Sequence, residues 1–115
     1  MPQAPTDFAT FEANATQVAG LLRALANERR LMILCKLVEW GEGNVGALAD
    51  AVGLSQSALS QHLAKMRDEG IVTYRRDSQT LWYHVADPRI EILLSHLQQL
   101  YCPAVSASRK KHART

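Results

Sequence analysis

The chain has few cysteines, no long apolar run, no internal repeat and no large excess of charge of one sign. Each shortage removes a class of protein. Its two cysteines, Cys35 and Cys102, are too few for the disulfide framework of a small secreted domain, and they lack the C-x-x-C spacing of a zinc site or a thioredoxin-like motif. No apolar stretch approaches the roughly 18 to 20 residues that a membrane-spanning helix requires. The opening MPQAPTDF carries an acid where a secretory signal would have a basic region followed by an apolar one. A cytoplasmic protein with no membrane partner is therefore expected. With 115 residues there is room for one domain and short tails, without a second, catalytic domain.

Net charge is only +2, and its distribution is uneven. The final RKKHART holds Arg109, Lys110, Lys111 and Arg114 with no acid, so residues 1–108 carry nine basic against eleven acidic side chains. Overall basicity thus gives no argument for nucleic acid. A nucleic-acid surface would have to come from local clustering and from the fold. By default the basic end is a solvated tail that adds nonspecific attraction to DNA.

What is present is enough apolar residue for a core, 47% of the chain, in helical periodicity. Residues 1–7, with two prolines, and 103–115 are predicted to be flexible tails around one domain at 8–102. From Phe8, apolar residues recur at Phe11, Ala15, Val18, Leu22 and Leu25 in alternating steps of four and three, predicting one first helix. Asn27 can cap a second helix with Leu31, Leu34, Cys35 and Val38 on its apolar stripe, ended by Gly41 and Gly43. A short third helix, about Val45 to Val52, turns Leu48, Ala49 and Val52 inward before Gly53 closes it. Ser55 caps a fourth, from Gln56 to about Glu69, which buries Leu59, Leu63 and Met66.

Two β-rich runs follow, Ile71 to Arg75 and Thr80 to Ala86, joined by the polar residues Arg76 to Gln79. Asp87 and Pro88 then start a last helix with Ile90, Leu93, Leu94, Leu97 and Tyr101 on its stripe. Short helix, glycine turn, longer helix and hairpin make a winged helix-turn-helix, mainly α with a β-hairpin wing.

The outward face of the fourth helix carries the functional expectation. Gln56, Ser57, Ser60, Gln61 and Ala64 give it a small, polar surface, with neither the Glu/Lys pairs of a solvated helix nor a second apolar seam. A major groove about 12 Å wide admits one helix, whose early residues reach base edges; Gln pairs with adenine in a bidentate manner and Ser bonds to several edges. Double-stranded operator DNA is the partner this predicts. Lys65 and Arg67 are placed to position the phosphate backbone, and Arg75 and Arg76 to reach flanking phosphates or an adjacent minor groove. His62, near the apolar side, reads as a packed or phosphate-reaching histidine before a metal ligand. The alternatives are an exposed cap and surface without a ligand for the serines, and a winged helix that binds protein for the fold as a whole. A core of this size cannot absorb the stripes of both terminal helices, which predicts a C2 homodimer through the first and last helices, reading an imperfect palindrome.

The runs LLRALANERRLMILCKLVE, LSQSALSQHLAKMRDEGIVTYRRDSQTLWYHV and QQLYC resemble the ArsR/SmtB family of bacterial winged-helix repressors. Within it they look like the thiol- and persulfide-sensing HlyU-like, BigR-like and SqrR-like group, over about residues 17–102. The resemblance implies a homodimeric DNA-binding repressor, with Ser57, Ser60, Gln61 and His62 at recognition-helix positions and Arg75, Arg76 and Gln79 on the wing. Many relatives sense metals, but their third-helix thiols are replaced here by NVGALAD, and their last-helix pair by Asp87 and Arg89 with a lone His96. No metal and no cofactor are expected.

Cys35 and Cys102 instead match the thiol-sensing group, where one cysteine lies in the second helix and the other ends the last. The implied chemistry uses one thiol attacked by a persulfide or oxidant and a second that resolves it into a disulfide or polysulfide bridge. Taken singly, Cys35 reads as a small core hydrophobe and Cys102 as an incidental helix-end residue. The HlyU branch also allows an antirepressor that displaces another DNA-binding protein, and a metal-responsive repressor is the other alternative. A small thiol oxidoreductase is the rival from outside DNA binding. Neither an acid-base partner beside Cys35 nor a Gly-rich loop supports it, so no enzyme is expected.

Overall fold

The computed structural model describes residues 7–101 of the chain. Its elements are α1 (Phe8–Ala13), α2 (Ala15–Leu25), α3 (Glu28–Trp40), α4 (Val45–Val52), α5 (Gln56–Asp68), β1 (Val72–Asp77), β2 (Thr80–Val85) and α6 (Pro88–Tyr101). The order is that of a winged helix, with one antiparallel hairpin between α5 and α6. No helix among the described residues is long and apolar enough to cross a membrane.

The predicted first helix is two helices. Asn14 sits between them at φ −98°, ψ 6°, its N–H still bonded to the carbonyls of Thr10 and Phe11, so the axis is interrupted without a loop. An Asn side chain competes for backbone partners and has low helix propensity, which explains a break at that residue. α1 is not anchored on the core, and α2 is held there by its second half, where Leu21 and Ala24 pack half-buried beside Leu25. α1 buries nothing and α2 buries only Leu25, whereas Phe11, Ala15 and Leu22 of the predicted stripe are exposed.

The core forms where α3, α4, α5, α6 and the hairpin converge. On α3 the fully buried residues are Ile33, Leu34 and Leu37, while Leu31, Cys35 and Val38 lie half-buried beside them. The expected stripe is thus rotated by about one residue. The same rotation brings Arg30, only 9% exposed, onto the core side. Its guanidinium donates two parallel hydrogen bonds to Glu69 at 2.9 and 3.0 Å and a third to the Ala24 carbonyl at 3.1 Å. A buried charge demands such saturation, and this one ties the start of α3 to the C-terminus of α5. The Glu69 carboxyl is held below its ordinary range chiefly by these bonds.

β1 and β2 pair from Val72 with Val85 to Asp77 with Thr80, leaving a two-residue turn at Ser78 and Gln79 with Ser78 at φ 59°. The expected four-residue connection is shorter because Arg76 and Asp77 pair in the strand. Gly43 adds a bridge to the sheet, exchanging backbone hydrogen bonds with Tyr83 at 2.8 and 2.9 Å. A Cβ there would come within 3.1 Å of the Trp40 ring and 3.2 Å of Leu48 Cγ, so only glycine allows this approach without displacing them. On α6, Ile90 and Leu94 are buried and Leu93 and Leu97 half-buried, but Tyr101 is 82% exposed and contributes nothing to the monomer core.

Candidate nucleic-acid interface

α4 and α5 are joined by Gly53, Leu54 and Ser55. Gly53 takes the left-handed conformation, φ 71°, which lets its own N–H and that of Leu54 return to the Ala49 carbonyl and close α4. Ser55 then accepts the Ala58 N–H at 3.1 Å and starts α5. Because Leu59, Leu63 and Met66 are fully buried, the 100° rotation per residue turns Gln56, Ser57, Ser60, Gln61 and Ala64 outward, and all five are exposed. The four polar side chains among them make no hydrogen bond or ion pair with another described residue, so their donors and acceptors are available.

The basic residues occupy distinct positions. His62 is half-buried on the flank of α5, and Lys65 is exposed one turn later on the same flank. The Arg67 guanidinium stacks 4.8 Å from the ring centre of Tyr74, which in turn meets Tyr83 edge-on at 5.2 Å. Arg67 therefore braces α5 against the root of the wing. Strand alternation separates the two wing arginines. Arg76 shares a hairpin face with Val72 and Tyr74, is exposed and makes no ion pair among the described residues. Arg75 lies on the other face, its guanidinium bonded to both oxygens of Glu42 at 3.1 and 2.7 Å and 5.7 Å from the Trp82 ring centre. That pairing holds the exposed Glu42 carboxyl below its ordinary range. Gln79 is exposed at the wing tip.

Two partners here had no local signal. Glu42 is distant in sequence from Arg75, and Glu69 is 39 residues from Arg30. Only the fold brings them together.

Cys35 is half-buried on α3, and its carbonyl oxygen receives the Gln98 side-chain amide at 3.5 Å. Cys102 lies outside the described residues. Among those residues, no three His, Cys, Asp or Glu side chains group as a metal cage.

The fold that carries this helix and hairpin is shared with known regulators. Residues 27–74 match the family model described as bacterial regulatory protein, arsR family. The transcriptional activator HlyU of Vibrio cholerae serotype O1 is 44% identical over 101 residues, covering 88% of this chain and 93% of that protein. The chain belongs to the ArsR family. A solved structure of reduced HlyU from Vibrio cholerae superposes with a TM-score of 0.74 at 44% identity, covering 81% of this chain and 97% of that one. The crystal structure of the transcriptional repressor BigR from Xylella fastidiosa gives 0.76 at 36% identity, covering 84% and 98%. This ArsR-family chain is accordingly a DNA-binding transcriptional regulator with a winged helix-turn-helix fold, and not an enzyme.

Proposed function

We propose that this protein is a homodimeric repressor that holds operator DNA while Cys35 and Cys102 are reduced, and leaves it when reactive sulfur or another oxidant cross-links them. The observation that carries the thiol switch is the contact of α6 with α3 at Cys35. Gln98, in the last turn of α6, bonds the Cys35 backbone, and Cys102 follows that turn in sequence. Among relatives, BigR is named a repressor and HlyU an activator that has also been solved in a reduced form.

In the switch, a persulfide gives its outer sulfur to one thiolate and leaves as a thiol. The second thiolate then attacks the protein-bound sulfur, expelling hydrogen sulfide and forming a disulfide with net loss of two hydrogens. When a second persulfide donates a further sulfur and likewise leaves as a thiol, attack of the other thiolate on the middle sulfur expels hydrogen sulfide and leaves a trisulfide, which relaxes the roughly 7 Å limit on Cα separation. Such a bridge joins α6 to α3, whose first turn is forked to the end of α5 through Arg30 and Glu69. A coupling of about 1 to 3 kcal/mol along that connection changes DNA affinity by roughly 5- to 150-fold.

In the DNA-bound form Gln56, Ser57, Ser60 and Gln61 read base edges in the major groove. His62, Lys65, Arg67, Arg76 and the wing tip at Gln79 position the backbone, with Arg75 released to phosphate only at the expense of Glu42. The dimer is supported by leftover apolar surface: of the seven large exposed apolar side chains among the described residues, six, Phe8, Phe11, Leu22, Ile92, Leu100 and Tyr101, lie on α1, α2 and α6. Joining the two copies there sets two α5 helices about 34 Å apart along one face of DNA. The test is fluorescence-anisotropy titration of a DNA fragment from the protein's own promoter. Salt-sensitive binding by the reduced protein is expected, weakened after glutathione persulfide; no salt-dependent binding to any DNA would favour a protein-interaction module.

A further inference from the structure

Beside the base-reading face of α5 lies a cavity of about 460 Å³, walled by the end of α2, the start of α3 and the flank of α5. Its charged lining comes from three elements: Arg23 of α2, Arg30 of α3, and His62 and Lys65 of α5, with Glu69 just beyond. Glu69 is the one acid in this lining, and both its oxygens are engaged by Arg30. That fork neutralises one arginine against the acid. Arg23 and Lys65 are left without an ion pair within 4 Å among the described residues, both exposed at the rim. Ala26 and Asn27 bring the N-terminal end of α3 to the same opening, adding partial positive charge.

We infer that this cleft seats a backbone phosphate of the operator, with Arg23 as a DNA contact contributed from outside the helix-turn-helix. The inference rests on the DNA-binding reading and extends its footprint. His62 and Gln61 are adjacent on α5, so a strand whose bases meet Gln61 passes its sugar-phosphate edge along the flank where His62 and Lys65 open into the cleft. A phosphate there meets Lys65 from α5 and the planar, multi-donor guanidinium of Arg23 from α2. Such a contact carries no sequence information. It fixes how α5 lies in the groove by tying the α2–α3 corner to the backbone.

The test compares wild type, Arg23→Gln and Arg23→Lys in the full-length reduced protein, by anisotropy on promoter DNA and on a scrambled duplex across a salt series. Arg23 is exposed and unpaired, so the thermal midpoint of all three should agree. Arg23→Gln is expected to reduce the slope of log K against log salt by about one for each bound subunit, weakening both duplexes by a similar factor; Arg23→Lys should keep most of the slope. A wild-type slope in Arg23→Gln overturns the phosphate seat while leaving DNA binding by α5 intact. Wild type that binds neither duplex overturns the DNA-binding reading itself. Thermal protection by inorganic phosphate that disappears in Arg23→Gln, with the DNA slope unchanged, makes the cleft a free-anion site and overturns its assignment to DNA.

Discussion

The side-chain amide of Gln98 reaches the carbonyl oxygen of Cys35 at 3.5 Å, so the last turn of α6 lies on α3 at the residue bearing the thiol. Cys35 itself is half-buried beside a core of Ile33, Leu34 and Leu37, within reach of solvent yet anchored on an element that cannot shift alone. A bond formed there acts on a packed helix rather than on a loop. Cys35→Ser and Cys102→Ser should each bind DNA like the reduced wild type and fail to release it after persulfide. Anisotropy reads both; release persisting in both variants would exclude the two-thiol switch.

Base reading and backbone positioning separate by mutation. Gln61→Ala should cost about 1 to 3 kcal/mol on promoter DNA and little on a scrambled duplex, because it removes a base-edge contact. Arg76→Ala should weaken both alike and lower the salt slope by about one per subunit. Both residues are exposed, so the circular dichroism of the free protein should stay unchanged.

The fork between Arg30 and Glu69 predicts a pH-dependent stability. Arg30→Met removes three hydrogen bonds, two of them to a carboxylate, and should destabilise the fold by about 1 to 3 kcal/mol in urea unfolding. Glu69 is 39% exposed at its side chain, so Glu69→Gln should cost less, below about 1 kcal/mol after solvent screening. The Glu69 carboxyl lies below its ordinary value near 4.5 in the folded chain, so its contribution is complete above that value and is lost as pH falls through the lowered folded one. The gap between wild type and Glu69→Gln should accordingly close on acidification.

Gly53 fixes the approach of α4 to α5 through a left-handed backbone that nothing crowds, since an added Cβ would meet no atom within 4 Å. The penalty of substitution is then conformational alone. Gly53→Ala should cost about 1 to 2 kcal/mol and Gly53→Asn less, measured by thermal unfolding.

The helix-turn-helix was legible in the sequence because its signals are local: Gly53 ends one helix, Ser55 caps the next, and Leu59, Leu63 and Met66 keep strict helical spacing. α3 was harder, since Leu31 to Cys35 are apolar at every position and periodicity cannot choose among adjacent stripes. The packed neighbours choose, and they select Ile33 and Leu37. The ion-pair partners of Arg30 and Arg75 had no signal in the sequence, since Glu69 and Glu42 lie far from them along the chain and only the fold brings them within hydrogen-bond distance. Polar Arg76 and Asp77 read as loop until strand pairing with Leu81 and Thr80 accounted for them.

The exposed apolar side chains of the terminal helices predict that Leu22→Glu, on a residue 52% exposed, leaves the monomer folded but weakens self-association and, with it, DNA binding. Sedimentation velocity and anisotropy on the same preparation check both.

The most direct measurement is intact-mass spectrometry on the same samples that are titrated with promoter DNA, before and after glutathione persulfide. If the two thiols are the switch, loss of DNA affinity tracks loss of two hydrogens, or gain of sulfur bridging Cys35 and Cys102, and a reductant restores both mass and binding. Full bridging with unchanged affinity, or lost affinity with both thiols still free, would contradict the two-thiol switch.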